Sequence, residues 1–320
     1  MTTGIGNTFL GCNAGSSSAH WNVAIGHSSG HYLNTGGANV YVGVHAGSVA
    51  TSGDENVYIG NYAGYASTTG ENNTALGYQT MDALTTGTHN TALGNHSMGS
   101  GVVTGIGNNS VGYAALVSLT SGTYNIGLGA YAGSYITSGD NNIIIGKEAG
   151  ITGSPGGEIG TADNEICLGD ENISAANIQV AWSVASDKRD KNDIEPLTLG
   201  LEFINQLEPV TYRWDKRTKY INKSYLSLEA DDPDFVDLNN VVHDGTHTEP
   251  QLHAGLLAQD VEEVEQAYGF DKEDLTALVT NLSGDGKSYS LSYERFVPML
   301  IKAVQELSAE VEELKKESTQ

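Results

Sequence analysis

Basic residues are scarce in this chain: 15 Lys and Arg stand against 39 Asp and Glu over 320 residues, a formal net charge of -24. An acid excess of that size argues against DNA, RNA or an anionic bilayer as a partner, because each would be repelled. Long apolar runs are also missing. No window approaches the roughly 20 apolar residues of a membrane span, and the start MTTGIGNTFLG lacks the charged head and apolar run of a secretory signal. Neither membrane insertion nor export by a signal of its own is expected. Cysteine is limited to Cys12 and Cys167, too few and too far apart for a disulfide framework. Both are expected to be small buried or half-buried residues in a protein made in a reducing compartment.

The scarcities are unevenly distributed. Residues before Ser186 hold 34 of the 40 Gly but one Lys, no Arg and one Pro. The other basic residues and five of the six Pro come after it. The length suits two domains, and the boundary falls near residue 185.

The first part is a repeat. A pentad Asn-x-x-(Ile/Leu/Val)-Gly begins at Asn7, Asn22, Asn39, Asn56, Asn73, Asn90, Asn108, Asn125 and Asn142, with successive starts 15 to 18 residues apart and most of them 17. A decayed copy ends in Ile166-Cys167-Leu168-Gly169 after an insertion through Ser154-Pro155-Gly156-Gly157. Small pairs such as Ala63-Gly64 and Ala132-Gly133 follow the pentad, and turn signals such as Ser138-Gly139-Asp140 come next. Val57 and Ile59 alternate with Tyr58 as in a short strand, so each period reads as strand, tight turn, short strand, turn. Two such strands are marginal alone. Stacking is expected to bury the Ile/Leu row and pair the edges, giving a mainly β solenoid, β-roll or β-prism with Asn and Gly ladders at its corners. Nine coils at about 4.8 Å make a stalk of about 40 Å. The pattern resembles phage tail-fibre shafts and, less closely, the heads of trimeric autotransporter adhesins, over residues 4–169.

The second part carries other motifs. The segment from Ala185-Ser186-Asp187-Lys188-Arg189-Asp190-Lys191 to Ile194 breaks the repeat style. Apolar residues at 199, 201, 203, 204 and 207 suit a short amphipathic helix, Pro209 stops it, and Val210 to Trp214 reads as a strand. The block His253-Ala254-Gly255-Leu256-Leu257-Ala258-Gln259 leads into an acidic helix. After Tyr293-Glu294-Arg295-Phe296, the residues Val297, Leu300, Val304, Leu307, Val311 and Leu314 alternate spacings of three and four, a heptad seam. Such a seam serves either a coil between chains or a helix packed on its own domain.

These blocks, in this order behind a repetitive fibre, resemble the self-cleaving C-terminal intramolecular chaperone of phage tailspikes, tail fibres and endosialidases, over nearly all of residues 186–320. Residues 220–250 read as a loop that varies in that family. The resemblance implies an α+β chaperone domain ending in a coiled-coil helix, which assembles a homotrimer and then cuts itself off. It implies the nucleophile Ser186, the general base Lys191 and the scissile bond Ala185-Ser186, with His253, Gly255 and Gln259 in the chaperone motif. The chain then divides into a repeat shaft with the receptor-binding tip (1–173), a linker (174–185) and the auto-processing domain (186–320).

Elementary chemistry agrees with that assignment. A hydroxyl just after the scissile bond attacks the preceding carbonyl through a five-membered ring, and proximity supplies much of the rate. Lysine serves as base when desolvation or nearby cations, here Lys188 and Arg189, lower its pKa. Asp187 either orients the site or caps the following turn. By the same resemblance the protein is expected to be a distal tail fibre of a virion, assembled in the host cytoplasm and meeting a bacterial surface receptor of glycan type; with no virion-docking module before the repeats, either an N-terminal anchor has been removed or the chain joins a separate proximal fibre protein. The competing classes are a glycan-depolymerising tailspike and a cellular trimeric adhesin that uses the same chaperone.

Other constellations carry less. His243 and His247, four apart around Asp244, suit a metal on a helix or a polar loop, and the loop is the expectation. Paired acids such as Asp54-Glu55 and Asp231-Asp232 read as acidic turns. No cofactor or metal site is expected. The aromatics Tyr41, Tyr58, Tyr62, Tyr65, Tyr113, Tyr131 and Tyr135, with His20-Trp21, serve either as saccharide-stacking ledges or as packing inside the coil or between chains.

Overall fold

The computed structural model describes residues 4–15, 18–220, 238–271, 276–283 and 286–319. Asp231, Asp232 and residues 221–237 of the variable segment lie outside them. The chain divides into two compact units, Met1–Ile173 and Ser174–Gln320.

The first unit is a β-solenoid. Ten three-residue strands, β1 (Thr8–Leu10), β2 (Val23–Ile25), β3 (Val40–Val42), β4 (Val57–Ile59), β5 (Thr74–Leu76), β6 (Thr91–Leu93), β7 (Asn109–Val111), β8 (Ile126–Leu128), β9 (Ile143–Ile145) and β10 (Ile166–Leu168), form one parallel sheet in sequence order. Pentad position pairs with pentad position, as in Tyr41 on Tyr58 and Ala75 on Ala92. Each coil contributes one regular strand, where the sequence suggested two. The rest of the period is turn, because the second residue after each pentad, such as His45 (φ 57°) or Tyr62 (φ 61°), is left-handed and cannot continue an extended run. The pentad Gly is fixed by the stacking: Gly43 has φ +138°, and a Cβ there would lie 2.4 Å from the Gly60 carbonyl oxygen.

The strand faces are opposite to the expected arrangement. The middle residue points inward, so Ala24, Tyr41, Tyr58, Ala75, Ala92 and Ile144 are fully buried. The Ile/Leu row points out, with Ile59, Leu76, Leu93, Val111, Leu128 and Ile145 between 36% and 44% exposed. The interior is filled by exchange of volume across the coil. Where the strand offers Tyr41 or Tyr58, the facing position is Gly47 or Gly64, and a Cβ on Gly64 would come within 2.3 Å of the Tyr58 ring. Where it offers Ala75 or Ala92, the corresponding residues are the buried Met81 and Met98. Tyr41 and Tyr58 therefore belong to the core, stacked at 5.3 Å, and burial pushes both phenols up from their ordinary pKa. Trp21, Tyr62, Tyr65, Tyr113 and Tyr131 are exposed. Cys167 is buried, Cys12 is exposed, and both are free thiols.

The pentad asparagines form a buried amide ladder. Asn39 donates its backbone N–H (2.9 Å) and its Nδ2 (3.0 Å) to Asn22 Oδ1, and Nδ2 also donates to the Gly53 carbonyl at 2.9 Å. The same three bonds recur at Asn56, Asn73, Asn90, Asn108 and Asn125. In the decayed copy Glu165 replaces Asn, and only its backbone N–H reaches Asn142 Oδ1, at 2.9 Å.

The second unit is mixed α/β. It comprises α1 (Leu201–Gln206), β11 (Val210–Tyr212), β12 (His253–Gly255), α2 (Ala258–Ala267), β13 (Thr280–Leu282), β14 (Tyr289–Leu291) and α3 (Phe296–Glu317); a tight turn over Tyr293–Arg295 extends the last helix to 293–317. Leu199, Phe203, Val261, Val279, Phe296 and Met299 form its core. Helix α3 has two apolar faces. Phe296, Met299 and Ala303 are buried in the unit, whereas Val297, Leu300, Val304, Leu307, Val311 and Leu314 stay between 39% and 63% exposed. Glu306 on α3 caps α1: Oε2 accepts the Leu201 N–H at 2.7 Å, and Lys302 Nζ lies 3.1 Å from Oε1. That backbone hydrogen bond, then Lys302, holds the Glu306 carboxyl below the usual range. Gly200 leaves room for it, since a Cβ there would meet Oε2 at 2.1 Å. Among the described residues no helix is long and apolar enough to cross a membrane.

Candidate autoprocessing site

Ser186 and Lys191 flank a single tight turn. Asp187 caps that turn (Lys188–Asp190), its Oδ1 accepting the Arg189 N–H at 2.9 Å. The turn folds the chain back over five residues, and Lys191 Nζ donates to Ser186 Oγ at 2.7 Å. Arg189 also forms a two-pronged pair with Asp187, with Nε at 3.0 Å and Nη2 at 2.5 Å. These contacts lower the Asp187 carboxyl and raise the Arg189 guanidinium from their ordinary values. Of the two cations that the sequence offered to Lys191, Arg189 is thus largely balanced by the Asp187 carboxylate. Residues 172–196 are all exposed, so in the single chain water screens the pair.

Just upstream lies a feature that motif reading passed over. Ile178, Val180, Trp182 and Val184 alternate along the chain and are 50% to 77% exposed. Period-two alternation is the mark of a strand with one apolar face, and among the described residues this segment pairs with none. The signal was legible in the sequence, directly before Ala185.

The chaperone-motif residues cluster elsewhere in the unit. His253 pairs across β11–β12 with Tyr212, and their rings stack at 5.6 Å. Gly255 admits the Tyr293 hydroxyl, which accepts the Leu256 N–H at 2.9 Å; a Cβ on Gly255 would stand 2.7 Å from that oxygen. Gln259, with Tyr212, Trp214, Arg217 and Tyr289, lines a groove of about 800 Å³. Among the described residues no hydrogen bond or ring contact joins Ser186 or Lys191 to His253, Gly255 or Gln259. Sequence reading also missed Glu265, a fully buried carboxylate on α2. It accepts the N–H groups of Leu278 (2.8 Å) and Val279 (2.9 Å) and the Thr280 hydroxyl, fastening β13 to the helix.

His243 and His247 sit in a loop, as expected. His243 Nδ1 lies 3.2 Å from Asp215 Oδ2, and His247 meets the Tyr220 ring edge-on at 4.7 Å. Among the described residues no group of three or more His, Cys, Asp or Glu could hold a metal ion.

The architecture defines a β-solenoid followed by a mixed α/β unit that ends in a long helix. Residues 186–273 match the family model described as chaperone of endosialidase. The match begins at Ser186, and with the solenoid before it the chain fits a tail fibre with an endosialidase-type chaperone domain. It supports a trimerisation-chaperone function in a tail fibre or adhesin and fits a self-cleaving serine peptidase. No curated protein and no solved structure matches the chain.

Proposed function

We propose that this chain is the distal part of a virion tail fibre, trimerised by residues 186–320 and then cut by them at Ala185-Ser186. The observation that carries the reading is the Lys191 Nζ to Ser186 Oγ distance of 2.7 Å at the first residue of the family match. In the working state Lys191 is a neutral amine and takes the Ser186 proton. Oγ then adds to the Ala185 carbonyl carbon through a five-membered ring. The Ser186 nitrogen leaves protonated, and the amide becomes an ester. Water hydrolyses the ester, leaving a carboxylate on Ala185 and a free amine on Ser186. A neutral lysine requires desolvation. The exposed dyad of the single chain therefore becomes competent when neighbouring copies cover it, with the apolar row from Ile178 to Val184 bringing them together. Host attachment falls to the solenoid, whose exposed Trp21, Tyr62 and Tyr65 suit a glycan receptor.

Expression of the full chain should yield a fragment of about 135 residues starting at Ser186, identified by intact mass and N-terminal sequencing. Ser186→Ala and Lys191→Ala should each leave the chain uncut while it still trimerises. The same cut in either variant removes the mechanism.

A further inference from the structure

We infer that the outer face of the solenoid sheet is the surface through which copies of this chain pack side by side. This deepens the trimer reading above and rests on it for the number of copies. The face consists of the first and third residues of every strand, and the third-residue row runs unbroken from Leu10 to Leu168 as Ile, Leu or Val. Its partners in adjacent strands are strictly in register, so the row is straight. The middle residues fill the interior, and among the described residues the outward row stays exposed, as at Leu76 and Leu93.

Three observations commit the occupant to a second copy. The first is area: ten rungs about 4.8 Å apart and two side-chain rows across make a face of about 500 Å². That is the size of the largest patch on an ordinary monomer, and the ridge of Tyr78, His96, Tyr113 and Tyr131 beside it, ring centres 5.2 to 6.2 Å apart, brings it toward the roughly 800 Å² per partner of a stable interface. The second is charge: the face carries none, whereas residues before Ser186 hold 11 Asp and Glu against one Lys. Two copies therefore meet on this face without charge repulsion across it. The third is recurrence: the seam of α3 and the row from Ile178 to Val184 are also apolar and uncovered. In copies aligned in parallel, equal coil spacing matches the solenoid faces rung to rung. The shafts then stand side by side, each coil closed within its own chain.

Cysteine crosslinking of the full-length chain in a Cys12→Ser background tests this. Leu93→Cys stands in the outward row, and Thr86→Cys stands exposed in a turn. Under mild oxidation Leu93→Cys should give at least fivefold more covalent dimer on a denaturing gel than Thr86→Cys, with native mass showing a trimer for both. A trimer in which Thr86→Cys links as well or better, or in which neither links, overturns the face. Absence of any trimer by native mass instead overturns the reading on which the proposal rests, and leaves the two failures distinguishable.

Discussion

At the scale of the residue, the solenoid interior works by compensation between two positions six apart. Tyr58 stands over Gly64, and Ala75 belongs with Met81 and Leu84. Ala75→Tyr alone overfills the coil and should lower stability by about 1–3 kcal/mol. Adding Met81→Gly and Leu84→Ser copies the Tyr58 coil, so the triple variant should recover most of the loss in a denaturant titration. Asn90 makes the complementary case. Replacing it by Leu leaves the Gly105 carbonyl and the Asn108 N–H without partners, and buried unsatisfied groups cost about 1–3 kcal/mol each. A fall in melting temperature limited to the solenoid transition is expected. The Asn period was legible because each buried amide makes the same three bonds to its neighbours, so the residue recurs at a fixed place in nine coils. Which of Val57, Tyr58 and Ile59 points inward was not, because alternation gives two faces and does not rank them. The Gly64 opposite a ring, repeated at Gly47 opposite Tyr41, was the deciding signal.

At the scale of the element, α3 shows why a heptad pattern alone left two readings open. The helix satisfies both: Phe296, Met299 and Ala303 serve its own unit, and the seam from Val297 to Leu314 faces away from it. A one-dimensional pattern records the apolar residues of both faces together. The cap supplied by Glu306 was invisible to sequence reading, since it joins residues 105 apart in the chain. Its carboxyl is depressed in the folded state, so its contribution is present above the unfolded glutamate value of about 4.3 and is lost as pH falls through the lower folded value. Glu306→Gln should therefore narrow the difference in stability between pH 6 and pH 3. Equal pH slopes for variant and wild type in thermal melts would refute this role for Glu306. Gly200→Ala should weaken the same pH dependence in thermal melts, because a Cβ there meets the carboxylate and shifts it from the Leu201 N–H.

At the scale of the whole molecule, the division after Ile173, twelve residues before the break in composition, separates two ways of holding structure. The first unit is bonded between neighbours about 17 residues apart, so it gains stability by repetition. The second depends on contacts remote in sequence, such as Glu265 with residues 278–280. Were the shaft to assemble only with the second unit attached, its persistence after cleavage would be kinetic. The uncut Ser186→Ala trimer should regain its native mass after denaturation and dilution, whereas cut wild-type shaft should not. Recovery of both to the same yield would mean that the shaft needs no template. The ladder of asparagines has one more consequence. Because Asn73 binds Asn56 as Asn56 binds Asn39, excising the 17 residues from Asn56 to Asn72 brings together two coils whose edges already match. Length in this molecule is therefore quantised: duplication or loss of one unit lengthens or shortens the shaft by a single rung of about 4.8 Å and leaves the asparagine ladder unbroken.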